Sequence, residues 1–240
     1  MADKITKFPP PKPRMAGSAE GWIPVQRSVL RGLLILAAHR DIRFYINSIN
    51  VEVEKTGITL VATDGHRMGA YRLKRPENVS FPQSFIVSRE LIEAVRSKHG
   101  EAWLRFDSAL RTVTIACDDL SHSCMAIEAT YPQWRRVIPR KVEPAQARFN
   151  SSYVHDFTLV AQAFLGGSNL WDNVRIAAQK DSGALVTIHG VPEFVGVLMP
   201  MRASDTPLIV EPPAWAAPPE EPKQAAATLN AVTPPEVTPA

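Results

Sequence analysis

Long apolar runs are missing from this chain: no stretch approaches the roughly 18 residues that a membrane-spanning helix needs. The first twenty residues also lack the charged-then-apolar pattern of a secretory leader. Both absences lead to the expectation of a cytoplasmic protein. Strong net charge is absent too. A formal charge of +3 does not by itself call for nucleic acid. It is unevenly placed, however: between Gly21 and Lys141, 18 Lys and Arg stand against 12 Asp and Glu, a surplus that suits a polyanion and is equally common on soluble surfaces.

Cysteine is nearly absent. Cys117 and Cys124 flank Asp118, Asp119 and His122 in ACDDLSHSC, which supplies at most three soft ligands where a closed structural zinc site takes four. Two reduced, packed thiols are the expectation. A cross-strand disulfide and a metal site are the alternatives, the latter carrying a metal-dependent enzyme as a remote functional reading. Catalytic constellations are otherwise lacking. Asp64 and His66 sit close in sequence, but no activated Ser or Cys nucleophile, second carboxylate pair or phosphate-cradling glycine loop accompanies them. A non-enzymatic protein without cofactor or metal is expected.

What is present is organised in three parts. Residues 1–20 carry FPPPKPR, and residues 204–240 are dominated by Pro, Ala and Glu, with Trp215 as the single candidate for a short docking motif. Such composition buries too little apolar surface to offset ordering entropy, and both segments read as tails. With 45% apolar residues in 240, the chain between them can form one or two ordinary cores.

That middle part repeats at a spacing of about 60 residues. A short strand enters a helix at Val25–Leu36, at Phe85–Arg96 and at Arg148–Phe157, with Ser88 and Asn150 as polar caps opening the second and third helices. Runs of period-2 or β-branched character follow each helix. They span Ile42–Val53, Gly57–Thr63 and His66–Leu73; then Ala102–Phe106, Thr112–Ala116 and Ser123–Ala129; then Asn173–Ala178, Ala184–His189 and Phe194–Met199. Three β-α-β-β-β units in an α+β fold are the economical reading.

The first helix places Arg27 and Arg31 one turn apart, opposite a stripe of Leu30, Leu33, Leu34 and Ala37. In the second, Arg89 and Arg96 share a face with Glu93. The third carries no Lys or Arg. Long cations without base-reading geometry would hold duplex loosely and in a salt-dependent way. Asp64-Gly65, between two strand-like runs, signals a tight turn that pushes His66 and Arg67 to a rim.

Three separated strings, ATDGHRM at Ala62–Met68, YPQWRRVIP at Tyr131–Pro139 and VLMPMR at Val197–Arg202, resemble in this order the segments that build the polymerase-tail cleft of the bacterial beta sliding clamp, the DNA polymerase III beta subunit. AAHRDIRFYIN at Ala37–Asn47 and FNSSYV at Phe149–Val154 reinforce the resemblance. It covers roughly Trp22–Ala203 and implies a DNA clamp (processivity) fold, with residues 21–142 as a complete middle domain and 143–203 as the final half of the last domain. The family's first domain and the opening half of its third have no counterpart in this sequence. Ring closure by the family route is thereby put in question.

The resemblance implies a peptide-binding cleft of three walls. The first is Thr63, Gly65, His66, Arg67 and Met68 with Ile46 beside them; the second is Pro132, Arg136 and Val137; the third is Val197, Leu198, Met199, Pro200, Met201 and Arg202, with Asn150 and Tyr153 at the border. It also implies DNA contacts from Arg27, Arg31, Arg40, Arg89 and Arg96. Methionine suits such a cleft because its polarizable side chain repacks around different partners. The expected function is DNA replication as a polymerase processivity or recruitment factor, with double-stranded DNA, polymerase and clamp-loader tails, and further copies of the chain as partners. The alternative is a regulatory decoy that binds the same peptides without encircling DNA.

Overall fold

Apolar residues at every second position of Ser48–Glu54 send Ile49, Val51 and Val53 into the interior and leave Asn50, Glu52 and Glu54 on the opposite face. The computed structural model describes residues 21–95, 100–118, 120–139, 146–167, 173–178 and 182–201. In chain order its elements are β1 (Ile23–Gln26), α1 (Arg27–Leu36), β2 (Ser48–Glu54), β3 (Gly57–Thr63), β4 (Arg67–Leu73), β5 (Gln83–Ser88) and α2 (Arg89–Glu93). These are followed by β6 (Glu101–Asp107), β7 (Thr112–Cys117), β8 (Leu120–Met125), α3 (Ser151–Leu165), β9 (Val174–Ala177), β10 (Ala184–Ile188) and β11 (Phe194–Leu198). The fold is α+β, with most strands within a residue or two of the runs read from the sequence.

The first two units exchange their leading strands. β1 pairs antiparallel with β6 in a sheet of order β1-β6-β7-β8, and β5 pairs with β2 in a larger sheet of order β5-β2-β3-β4-β11-β10-β9. Leading strands and following strands therefore interlock two units into one body. The third unit joins through β11, which lies antiparallel to β4 with Val197 opposite Met68 and Gly196 opposite Gly69.

Arg148 and Phe149, read from the sequence as the short strand entering the third helix, form no strand. In the first two units that strand is held by the sheet of the other unit, and the third unit has no such partner among the described residues. The Arg148 carbonyl instead accepts from the Met201 N–H at 2.8 Å.

Beneath the seven-stranded sheet, α1 and α3 pack against each other and share one core with Phe157, Val160, Ala161, Phe194 and Leu198. Gly32 permits this approach, since a Cβ at that position would lie 2.4 Å from Phe164. The helix ends agree with the capping read from the sequence. Ser88 Oγ accepts from the Leu91 N–H at 3.2 Å, and Asn150 Oδ1 accepts from the Ser152 N–H at 2.9 Å. The carbonyls at the end of α1 are satisfied from another element: Arg89 Nη2 donates to Leu34, Ala37 and Ala38 at 2.8–3.1 Å.

Candidate functional site

β3 and β4 join through the turn at Asp64–His66, which is tied by its own side chains. Asp64 Oδ1 accepts from the His66 and Arg67 N–H groups at 2.8 and 2.9 Å, and Thr63 Oγ1 accepts from Gly65 at 3.0 Å. Gly65 takes φ +92°, where a Cβ would be strained. Behind the turn, Arg67 is nearly buried. It donates to the Ile35 carbonyl at 3.1 Å, faces Asp64 Oδ2 at 3.1 Å, pairs with Asp156 of α3 and lies 4.5 Å over the Tyr153 ring. The turn and the third unit are thus fastened through one guanidinium.

The sheet alternation sends Val61, Met68, Ala70 and Val197 to the outer face, where Trp134 covers them in a second, small core. Trp134 belongs to a short 3-10 turn, Trp134–Val137, within an otherwise irregular segment. Tyr131 supports that segment by donating to the Val61 carbonyl at 3.3 Å, and burial pushes its phenol pKa well above the ordinary value. The Met199 N–H donates to the His66 carbonyl at 2.8 Å, drawing the end of β11 to the turn.

Between these pieces lies a cavity of about 230 Å³. It is lined by Ile46, Thr63, Gly65, His66 and Met68, with Arg67 at its base, by Pro132 and Val137, and by Val197 and Met199, so all three separated strings contribute. Arg43, Tyr45, Gln133 and Trp134 also line it. These four were not singled out from the sequence, although each lies within one of the quoted strings. The volume falls short of the ~300–1,000 Å³ usual for a small-molecule site and suits one or two apolar side chains.

The remaining cleft candidates do not line the cavity. Leu198 is fully buried because alternation along β11 turns it inward beside Phe157 while Val197 points out. Asn150 caps α3, and Tyr153 stacks on His66 at 5.8 Å in a neighbouring hollow. Arg136 is exposed, Pro200 half-buried, and Met201 58% exposed, its backbone N–H donating to the Arg148 carbonyl. Arg202 lies outside the described residues, as does Arg96.

The basic residues divide differently from the sequence reading. Arg27 is 3% exposed, donates to the Glu101 carbonyl at 3.2 Å and pairs with Asp118 at 2.8 Å. Arg89 is committed to Glu93 and the end of α1. Neither guanidinium is offered to a phosphate. Arg31 is half-buried and donates to the Val95 carbonyl at 3.0 Å, while Arg40 is exposed in a left-handed conformation, φ +58°.

The cysteines are free thiols. Cys117 pairs with Leu120 and Cys124 with Val113, several positions apart on the β7–β8 ladder, so the cross-strand disulfide is not formed. Burial raises the Cys117 thiol pKa. Among the described residues no group of three His, Cys, Asp or Glu could hold a metal, and no helix is long and apolar enough to cross a membrane.

Residues 25–133 match the family model described as DNA polymerase III beta subunit, central domain. This stretch is similar to a beta-clamp central domain. Over 106 residues the chain is 33% identical to the beta sliding clamp of Salmonella typhimurium, covering 43% of this chain and 28% of that protein. The chain thus spans about a third of the length of the curated clamps it matches. The clamp fold itself extends further. The DNA polymerase III beta subunit of Pseudomonas aeruginosa superposes with a TM-score of 0.60 at 18% identity, covering 80% of this chain and 69% of that one. That of Thermotoga maritima gives 0.59 at 15% identity, covering 83% and 69%.

Proposed function

We propose that the chain is a non-catalytic, sliding-clamp-like factor that docks short peptide tails of a replicative polymerase or clamp loader and holds duplex DNA without sequence preference. One observation carries this reading: three strings spread over more than 130 residues meet in a single apolar cavity. The clamp-family match at residues 25–133 gives the cavity its context, since sliding clamps are polymerase accessory factors. Titrating a fluorescein-labelled peptide with a Gln and spaced Leu and Phe anchors tests it. Met199→Ala is expected to weaken binding by about 1–3 kcal/mol, the usual cost of truncating an anchor contact. Equal affinity for parent and variant would remove the peptide-cleft reading.

DNA contact in this proposal rests on Arg40 and on half-buried Arg31, because the Arg27 and Arg89 side chains are only 4% and 13% exposed. That same burial favours a second reading, the decoy that occupies clamp-binding peptides without encircling DNA. Retention on closed circular but not linear DNA supports the clamp. Peptide binding without retention supports the decoy. Encirclement requires further copies of the chain, which we propose associate through the third unit.

A further inference from the structure

The second wall of the cleft, Tyr131–Pro139, has no strand pairing to hold its distance from the sheet. What grips it is a carboxylate on the outer face of β2. Glu52 Oε1 accepts from the Trp134 indole N–H at 2.9 Å and from Asn50 Nδ2 at 3.1 Å, while Oε2 accepts from Arg135 Nη1 at 2.5 Å. Glu54, two residues along on the same face, takes Arg135 Nη2 at 2.8 Å. The Arg135 guanidinium in turn lies 4.2 Å over the Trp134 ring.

Trp134 is therefore fixed in three ways. Its body is buried on Val61, Met68, Ala70 and Val197, its N–H ends on Glu52, and Arg135 covers its face. The indole also lines the peptide cavity. We propose that Glu52 is a positioning residue that sets the width of the cleft by orienting Trp134 and tethering Arg135 from the side of the sheet away from the core. This inference rests on the peptide-cleft reading above.

The physical reason is the asymmetry of a lost acceptor. With Gln at position 52, one amide oxygen must serve both Trp134 and Arg135 Nη1, and one of the two carboxylate charges that hold Arg135 is gone, leaving Glu54 alone. An indole N–H without a partner is costly to bury. The cheapest relief is rotation of the indole toward water, which carries the wall with it. The apolar contacts of the interior face of β2 are untouched by that movement, so the sheet itself survives.

The test compares the parent with Glu52→Gln, Arg135→Gln and the double variant, using the labelled Gln/Leu/Phe peptide and amide hydrogen exchange. Glu52→Gln is expected to bind the peptide about tenfold more weakly, the scale of one unsatisfied buried donor. Exchange should quicken in residues 131–138 and stay at the parent rate in β3 and β4. The double variant should be no weaker than Glu52→Gln alone, because both substitutions break one brace. Unchanged affinity in Glu52→Gln, additive losses in the double variant, or exchange quickened across the whole sheet would each overturn the proposal. Should Glu52→Gln not fold, Arg135→Gln, at a half-exposed position, carries the same comparison. A parent that binds no peptide would sink the cleft reading, while exchange at 131–138 still decides whether Glu52 holds the wall.

Discussion

At the residue scale, two methionines from one motif take opposite parts. Met199 lines the cavity and Met201 projects 58% exposed beyond it. Met201→Ala should leave peptide affinity within a factor of about two, as scattered surface substitutions do, whereas Met199→Ala carries the loss described above; parallel titrations check this contrast. Asp41 sits on the loop that lends Arg43, Tyr45 and Ile46 to the cleft. The Arg43 side-chain hydrogen bond holds its carboxyl down to about 2, against 3.8 ordinarily. A depressed carboxyl stabilises the loop above its unfolded pKa and loses that contribution as pH falls through the folded one. The Asp41 carboxyl resonance followed by NMR should therefore move below about 3.8 toward 2. A midpoint near 4 would remove the Arg43 contact.

Helix α3 is the element on which the third unit depends. Its apolar side reaches Phe194 and Leu198 of β11, and its Asp156 meets the Arg67 guanidinium beneath the cleft turn. Asp156→Ala leaves Arg67, 9% exposed, with fewer acceptors. The expected cost is about 1–3 kcal/mol in a urea titration, the range for a buried donor left short of a partner. Peptide affinity should fall with it, because Arg67 ties the turn at Asp64 to α3. Helix α1 offers a contrast. Arg27→Ala should lower stability through its Asp118 and Glu101 contacts, while Arg31→Ala with Arg40→Ala should lower the slope of log DNA affinity against log salt by about 2. A slope change from Arg27→Ala equal to that of the pair would contradict its burial.

At the scale of the whole molecule, the larger sheet ends on β9, paired on one side only with β10. The first two units close each other's sheets by exchanging leading strands, and the third has no exchange partner among the described residues. Exposed strand edges are rarely left open in a soluble protein. Two chains sharing a domain completed by their third units would form a dimer, and two such pairs a tetramer able to surround duplex. Sedimentation at micromolar concentration should give one of these masses, and protease protection of β9–β11 should rise with concentration. A strict monomer with β9–β11 already protected would turn the balance to the decoy.

Much of this architecture is local in origin. Period-2 alternation, the Asp64-Gly65 turn and the caps at Ser88 and Asn150 are settled by neighbours in sequence, so strands, turn and helix starts are legible in the letters alone. The cavity's membership at Thr63, Gly65, His66, Arg67, Met68, Pro132, Val197 and Met199 was also legible, through the resemblance of the three strings. Tertiary structure decided the rest. Whether Arg27 faces solvent or Asp118 depends on a strand end nearly a hundred residues away, and whether Leu198 lines a cleft or a core depends on which face of β11 meets α3. The part played by Trp134 is invisible until Glu52, 82 residues earlier, supplies an acceptor. A helical face or a motif specifies which residue types lie together along the chain. Only the packing of distant elements determines which of those groups are already satisfied and which remain available to a partner.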